Sequence, residues 1–255
     1  MKVSVVRIEL DKLKDGIWLA ARGGGIRSCV SIGVLKALEE AKIPVKGVCG
    51  ESLSSIFAAL LATGHNSEEI IDLFLKYNSI ITKASKLYRG RGSIVIEEEV
   101  NKETNGILMK DLPMPCYINA CTGNILKPQL VLFSNYDSPN HTLGEACRAS
   151  ASLPILFGEC KQVINGKEIN LFDGGFKENP HIPSTDLPVV FASFYNSKDY
   201  HDAVPIIRRT LDNSYQVSDV IINAPVYTIF ITGSNEDMLR AYYSGYEEAK
   251  RTLNL

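Results

Sequence analysis

Three short strings carry residues able to do chemistry: Gly23-Gly24-Gly25-Ile26-Arg27, Gly50-Glu51-Ser52-Leu53-Ser54 and Asp173-Gly174-Gly175. Each follows an apolar run of strand length, so each is expected at the end of a strand. In the second, Ser52 stands at the apex of a turn between strand and helix, with small residues two positions away on both sides. That is the pattern of a nucleophile elbow, whose strained serine backbone needs small flanking residues if strand and helix are to approach. Ser54 stands where glycine is usual. Read alone, the string also fits a serine capping a helix N-terminus. The glycine run offers consecutive backbone N–H groups free to converge on one point, at the start of a helix whose dipole favours negative charge. Such a loop suits an oxyanion hole, with donors placed where charge develops on an ester carbonyl. It also falls one residue short of G-x-G-x-x-G, with Ser28 in the last place and Glu51 near the position of a ribose-binding acid. A dinucleotide loop is therefore a rival reading, whereas a Walker loop is excluded because no Gly-Lys-Ser/Thr follows. Asp173 would project from the carboxyl edge of a sheet, where open α/β sheets place their sites. Alone, its string is equally an ordinary turn.

The elements that must position these strings alternate short apolar runs with longer periodic segments. Strands are expected at 17–21, 45–49, 116–120, 129–133, 168–172, 189–194 and 227–232, with a turn at 122–124 between the third and fourth. Helical spacing places Val30, Val34 and Leu38 on one face before the stop at Pro44. Further helices are expected at 55–62, closed by Gly64, from Asn66 or Ser67 to about Tyr77, at 144–152 before Pro154, and at 236–253. The segment 80–106 reads less clearly: 89–92 is loop-like and 94–101 fits helix or strand. The alternation predicts an α/β protein, three layers deep, with helices on both sides of a mainly parallel central sheet. Residues 1–16 alternate weakly and form an N-terminal strand or an extension; 17–255 then make up one domain.

Composition narrows the function classes. Of the 255 residues 45% are apolar and 22% charged, enough for a sizeable core. The net charge is −2, from 27 Lys+Arg against 29 Asp+Glu, and no block of five like charges occurs. Neither a nucleic-acid footprint nor a polybasic anchor is therefore expected. The longest apolar run, 56–62, is far shorter than the roughly 20 residues a bilayer span needs. Residues 1–10 lack the apolar stretch of a signal peptide. A cytoplasmic protein with at most peripheral membrane contact is expected. Six scattered cysteines, Cys29, Cys49, Cys116, Cys121, Cys147 and Cys160, contain no C-x-x-C pair and no histidine at zinc spacing. They read as reduced, buried thiols, and neither a metal nor a cofactor is expected.

Taken in order along the chain, the glycine loop, the serine elbow and the Asp-Gly-Gly string resemble the patatin-like phospholipases. A fourth stretch, Ala149-Ser-Ala-Ser-Leu-Pro-Ile-Leu-Phe157, resembles that family's small-residue helix ending in a proline, and Asn179-Pro180 also fits. The likeness covers 17 to about 183. Two departures are Ser54 at the elbow and Ala21-Arg22 where an Asp heads the family's glycine loop. The resemblance implies Ser52 as nucleophile, Asp173 as its direct base, and Gly23, Gly24, Gly25, Ile26 and Arg27 as oxyanion hole. Gly50, Ser54, Gly174 and Gly175 would shape the turns. It further implies hydrolysis of carboxylic esters of lipids or phospholipids through an acyl-enzyme. Two other readings stay open: an esterase or thioesterase completing a triad with His181 or His201, and a nucleotide- or lipid-binding module without turnover.

Overall fold

The computed structural model describes residues 4–87, 92–154, 157–158, 160–177, 180–196, 214–226 and 232–255. Nine strands build one mixed sheet: β1 (Val5–Val6), β2 (Ile17–Ala21), β3 (Val45–Glu51), β4 (Cys116–Asn124), β5 (Lys127–Ser134), β6 (Cys160–Ile164), β7 (Lys167–Asp173), β8 (Val189–Asn196) and β9 (Val220–Val226). Their order is β1-β9-β8-β2-β3-β4-β7-β6, with β5 paired to β4. The central five, β9-β8-β2-β3-β4, run parallel, as strands joined through helical crossovers do. Helices accompany them, among the described residues α1 (Cys29–Glu40), α2 (Ser54–Ala62), α3 (Ser67–Leu87), α4 (Gly92–Glu103), α5 (Leu143–Ser150) and α6 (Asn235–Leu253), with a further helical turn at 214–217. The chain is thus an α/β protein whose sheet is flanked by helices.

The pleat of β2 separates two apolar clusters. Ile17, Leu19 and Ala21 enter the main core beneath the helices, while Trp18 and Ala20 join Cys49, Val189 and Phe191 on the opposite face. Ile182 and Tyr215 pack over that second cluster. In the main core, α2 is buried at all nine positions, so the helix leaving the elbow is apolar all round. Its Phe57 is fully buried, a side chain whose burial stabilises by about 1.5–3 kcal/mol. All six cysteines are free and buried.

The placement that matters most lies along β4. Its edge facing away from β5 is shared by two strands. Parallel β3 occupies the first half, ending with Glu51 opposite Asn119. Antiparallel β7 occupies the second, ending with Asp173 opposite Ala120. The two strands run toward each other in one lane and stop head to head. Ser52, one residue beyond β3, therefore faces the last residue of β7.

Several boundaries differ from expectation. Segment 94–101 lies within helix α4, and β4 and β5 continue through 122–124 to a tight turn at 125–126. Strand β6 was hidden by its polar alternation, and β9 by Asn223 and Pro225 inside an apolar run, because proline argues against a strand interior. The strand expected at 227–232 and the loop at 89–91 fall outside the described residues but for Thr232. The N-terminal stretch is a two-residue edge strand on β9 followed by a 3-10 helix, Leu10–Asp15, that buries Leu13.

Candidate active site

Ser52 has φ of 54°, the left-handed region that L-residues rarely occupy. Holding a serine there costs on the order of 1–3 kcal/mol, so its surroundings must impose it. On one side a Cβ at Gly50 would be driven into the Ser54 carbonyl, so only glycine lets β3 and α2 come this close. On another, the Ser52 N–H donates to Ser150 Oγ at 2.9 Å, and Ser150 in turn donates to the Asn119 carbonyl at 2.7 Å. The N-cap of α2 is Leu53, without a side-chain cap bond. The half-buried Ser52 side chain instead lies beside the Asp173 carboxyl, close enough to favour its anion.

Asp173 is 5% exposed. Its Oδ1 accepts the Gly175 N–H at 2.9 Å, and its own N–H donates to the Ser152 carbonyl at 3.1 Å. The end of α5 and the residues just past it therefore hold both halves of the pair, Ser150 at Ser52 and Ser152 at Asp173. That is the structural sense of the small-residue stretch at 149–157. Gly174 is held from β4, its carbonyl accepting Asn119 Nδ2–H at 3.2 Å. Burial, which disfavours the anion, pushes the Asp173 carboxyl up to about 6, against Ser52 and the Gly175 N–H, which favour it.

The glycine loop follows β2 beside the elbow. Gly24 and Gly25 have φ of 150° and 66°, conformations suited to glycine, and a 3-10 turn, Gly25–Ser28, leads into α1. Among the described residues the Gly24 amide makes no hydrogen bond. The Gly24 carbonyl accepts from Arg27 Nε at 2.9 Å, which turns the N–H of the same peptide, that of Gly25, the opposite way. Arg27 and Arg22 both lie over the Phe194 ring, at 5.1 and 4.2 Å. The Gly23 amide is engaged differently from its neighbours: it donates to Glu51 Oε1 at 2.6 Å. Glu51 is thus turned onto the loop, away from the role of a ribose-binding acid. From Gly25, Ile26 and Leu53 an apolar cleft runs between α2 and α3, past Ile56, Leu73 and Phe74.

The structure brings together all three strings. Of the histidines, His65 and His141 lie against the carbonyls of Leu60 and Val163. The His181 ring packs on Tyr117, and the His181 backbone N–H donates to Asn119 Oδ1 at 3.2 Å. Among the described residues no imidazole bonds Ser52 or Asp173; His201 and Asn179 lie outside them. Sequence reasoning missed Glu51, Asn119 and Ser150 as site residues. A carboxylate closing an otherwise apolar strand was the available sign for Glu51, and the serines within the small-residue helix for Ser150.

An α/β sheet with a serine elbow, a glycine loop and an aspartate at neighbouring strand ends defines a class of serine-hydrolase-like architectures. Residues 19–186 match the family described as patatin-like phospholipase, and the chain belongs to that family. It is similar to lysophospholipase NTE1 of Mycosarcoma maydis, 27% identical over 174 residues that are 64% of this chain and 8% of that protein. A shorter stretch of 46 residues, 18% of this chain and 3% of the relative, is 56% identical to mouse patatin-like phospholipase domain-containing protein 6. The chain thus spans less than a tenth of either relative. It covers 87% of the probable lipid hydrolase 463L of Invertebrate iridescent virus 6, at 24% identity over 91% of its own length. Its fold is similar to that of VipD from Legionella pneumophila, with a TM-score of 0.66, 15% identity and coverage of 93% of this chain and 66% of that one. The likeness to the type III effector ExoU has a TM-score of 0.55 at 18% identity, covering 94% and 53%.

Proposed function

We propose that the protein hydrolyses carboxylic esters of lipids through an acyl-enzyme on Ser52, with Asp173 as direct general base. The observation that carries this reading is that β3 and β7 end head to head along β4, which sets Ser52 beside a buried Asp173 carboxyl and a glycine loop with an unengaged amide. In acylation Ser52 Oγ attacks the ester carbonyl while Asp173 takes its proton. The developing oxyanion is received by the Gly24 and Gly25 amides, aided by the cationic Arg27. Collapse of the intermediate expels the alcohol, to which Asp173 returns the proton. A water then repeats the sequence, and the fatty acid leaves. A carboxyl raised toward neutrality is a better base than an ordinary aspartate, and one proton on one oxygen suffices for both transfers.

The cleft beginning at Leu53 and the glycine loop supports an acyl chain as the bound moiety, since its walls are lined mainly by apolar side chains. The family and the lipid-hydrolase relatives support the same substrate class. A fluorophosphonate probe tests the reading. It should label the protein at Ser52, found by peptide mass spectrometry, and abolish fatty-acid release from mixed phospholipid and lysophospholipid vesicles. Labelling elsewhere, or release that survives labelling, would overturn it.

A further inference from the structure

Glu51 and Ser54 flank the elbow serine, and both reach back to one peptide unit of the glycine loop. The carbonyl of the Arg22–Gly23 peptide accepts the Ser54 hydroxyl at 2.7 Å, and its N–H donates to Glu51 Oε1 at 2.6 Å. Arg22 N–H, one peptide earlier, donates to the Ala192 carbonyl of β8 at 3.0 Å. Ser54 is fully buried and Glu51 is 1% exposed. No room is left between the partners: a Cβ on Gly23 would sit 2.6 Å from both the Glu51 carbonyl oxygen and Oε1. Gly24 follows at once, so the direction of its free amide depends on how this peptide is held.

We infer that Glu51 and Ser54 form a two-point clamp that positions the glycine loop for oxyanion binding. The inference rests on the proposed serine-hydrolase reading. It gives the departure from glycine at the elbow a purpose, because the Ser54 hydroxyl replaces empty space with a hydrogen bond between elbow and loop. It also accounts for a carboxyl group where water does not reach. Glu51 Oε2 has no hydrogen-bond partner. The charged groups facing Glu51 are Asp173 at the end of β7 and Arg22 at the end of β2, with the Cys49 thiol on its own strand. Burial holds the Glu51 carboxyl well above the usual range, and the nearby Asp173 raises it further against the pull of the Gly23 N–H and Arg22. Accepting the Gly23 N–H needs only a lone pair on Oε1, so the clamp does not require the anion. An anion there would stand beside the developing oxyanion and oppose it.

Steady-state kinetics on a soluble acyl ester, with Ser52→Ala as reference, test the clamp. Glu51→Ala should lower kcat about 10- to 100-fold with KM little changed, as expected for sub-ångström misplacement of donors. Glu51→Gln keeps a carbonyl acceptor and should recover most of that loss. Recovery by this conservative variant, with kcat rather than KM moving, is what a merely structural role would not give. Ser54→Gly should lower kcat in the same direction, and the double variant Glu51→Ala/Ser54→Gly should lose less than the product of the two single losses. Should Glu51→Ala fail to fold, the kcat values of Glu51→Gln and Ser54→Gly decide. The clamp is overturned if Glu51→Ala or Ser54→Gly keeps wild-type kcat, or if Glu51→Gln falls as far as Ala. Loss of activity in Ser52→Ala with any of these confines the failure to the clamp; retained activity in Ser52→Ala instead defeats the hydrolase reading.

Discussion

At the scale of single residues, the site trades stability for reactivity in two places. Ser52 sits at φ 54°, where glycine is at ease. Ser52→Gly should therefore abolish ester hydrolysis yet raise the unfolding free energy by about 1 kcal/mol, readable in urea melts. Ser52→Ala should be equally inactive, by several orders of magnitude, without that gain. Asp173 carries a second cost. As the base it must be ionised, so kcat/KM should fall as pH drops through about 6, the value to which burial pushes it. Stability runs the other way. The folded-state value lies above the unfolded one, so the native state holds an extra proton between them and loses stability as pH rises through about 6. Asp173→Asn has no such loss. It should be nearly inactive, and its stability relative to wild type should grow between pH 4 and about 6.5, then level off near 2–3 kcal/mol, on the order of the shift. A difference that stays flat with pH would mean that Asp173 is not a buried, titrating carboxyl.

At the scale of elements, the crossing of β3 and α2 is the most constrained point. Gly50→Ala puts a methyl into the Ser54 carbonyl, and Ser54→Leu puts a larger group into a fully buried position. Both should separate strand from helix, costing about 1–3 kcal/mol in thermal unfolding and about 100-fold in kcat. A fully active Ser54→Leu protein would mean that 50–54 is not an elbow. These elements were legible because their periodicity is local. The strand 17–21 coincides with β2, and the elbow, the glycine loop and the aspartate all lie at strand ends. What could not be read is which strand ends meet. That the lane beside β4 is divided between β3 and β7 depends on non-local pairing, and no spacing in the chain encodes it. The role of Glu51 was misplaced for the same reason. Its partner, the Gly23 amide, becomes a neighbour only once β2 and β3 pair, and from spacing alone the carboxylate suits a ribose-binding acid instead.

At the scale of the whole molecule, the cleft joins the glycine loop, α2, α3 and α6, and its length sets which acyl chains fit. Leu73→Trp, at a half-buried lining position on α3, should shorten it. Expected is a loss of roughly 200-fold in kcat/KM for long-chain esters, from about four methylenes displaced at about 0.8 kcal/mol each, with butyrate esters within about threefold of wild type. An unchanged chain-length profile would place the acyl chain elsewhere. Among the described residues no helix is long and apolar enough to cross a membrane. The head-to-head arrest of β3 and β7 also bears on timing. A chain still emerging from the ribosome presents the elbow and the glycine loop first, and on the proposed assignment it then holds a nucleophile without its base. Asp173 arrives only when β7 is laid against β4, a late, long-range closure. On that assignment, catalytic competence is withheld from the half-made chain until its sheet has closed on itself.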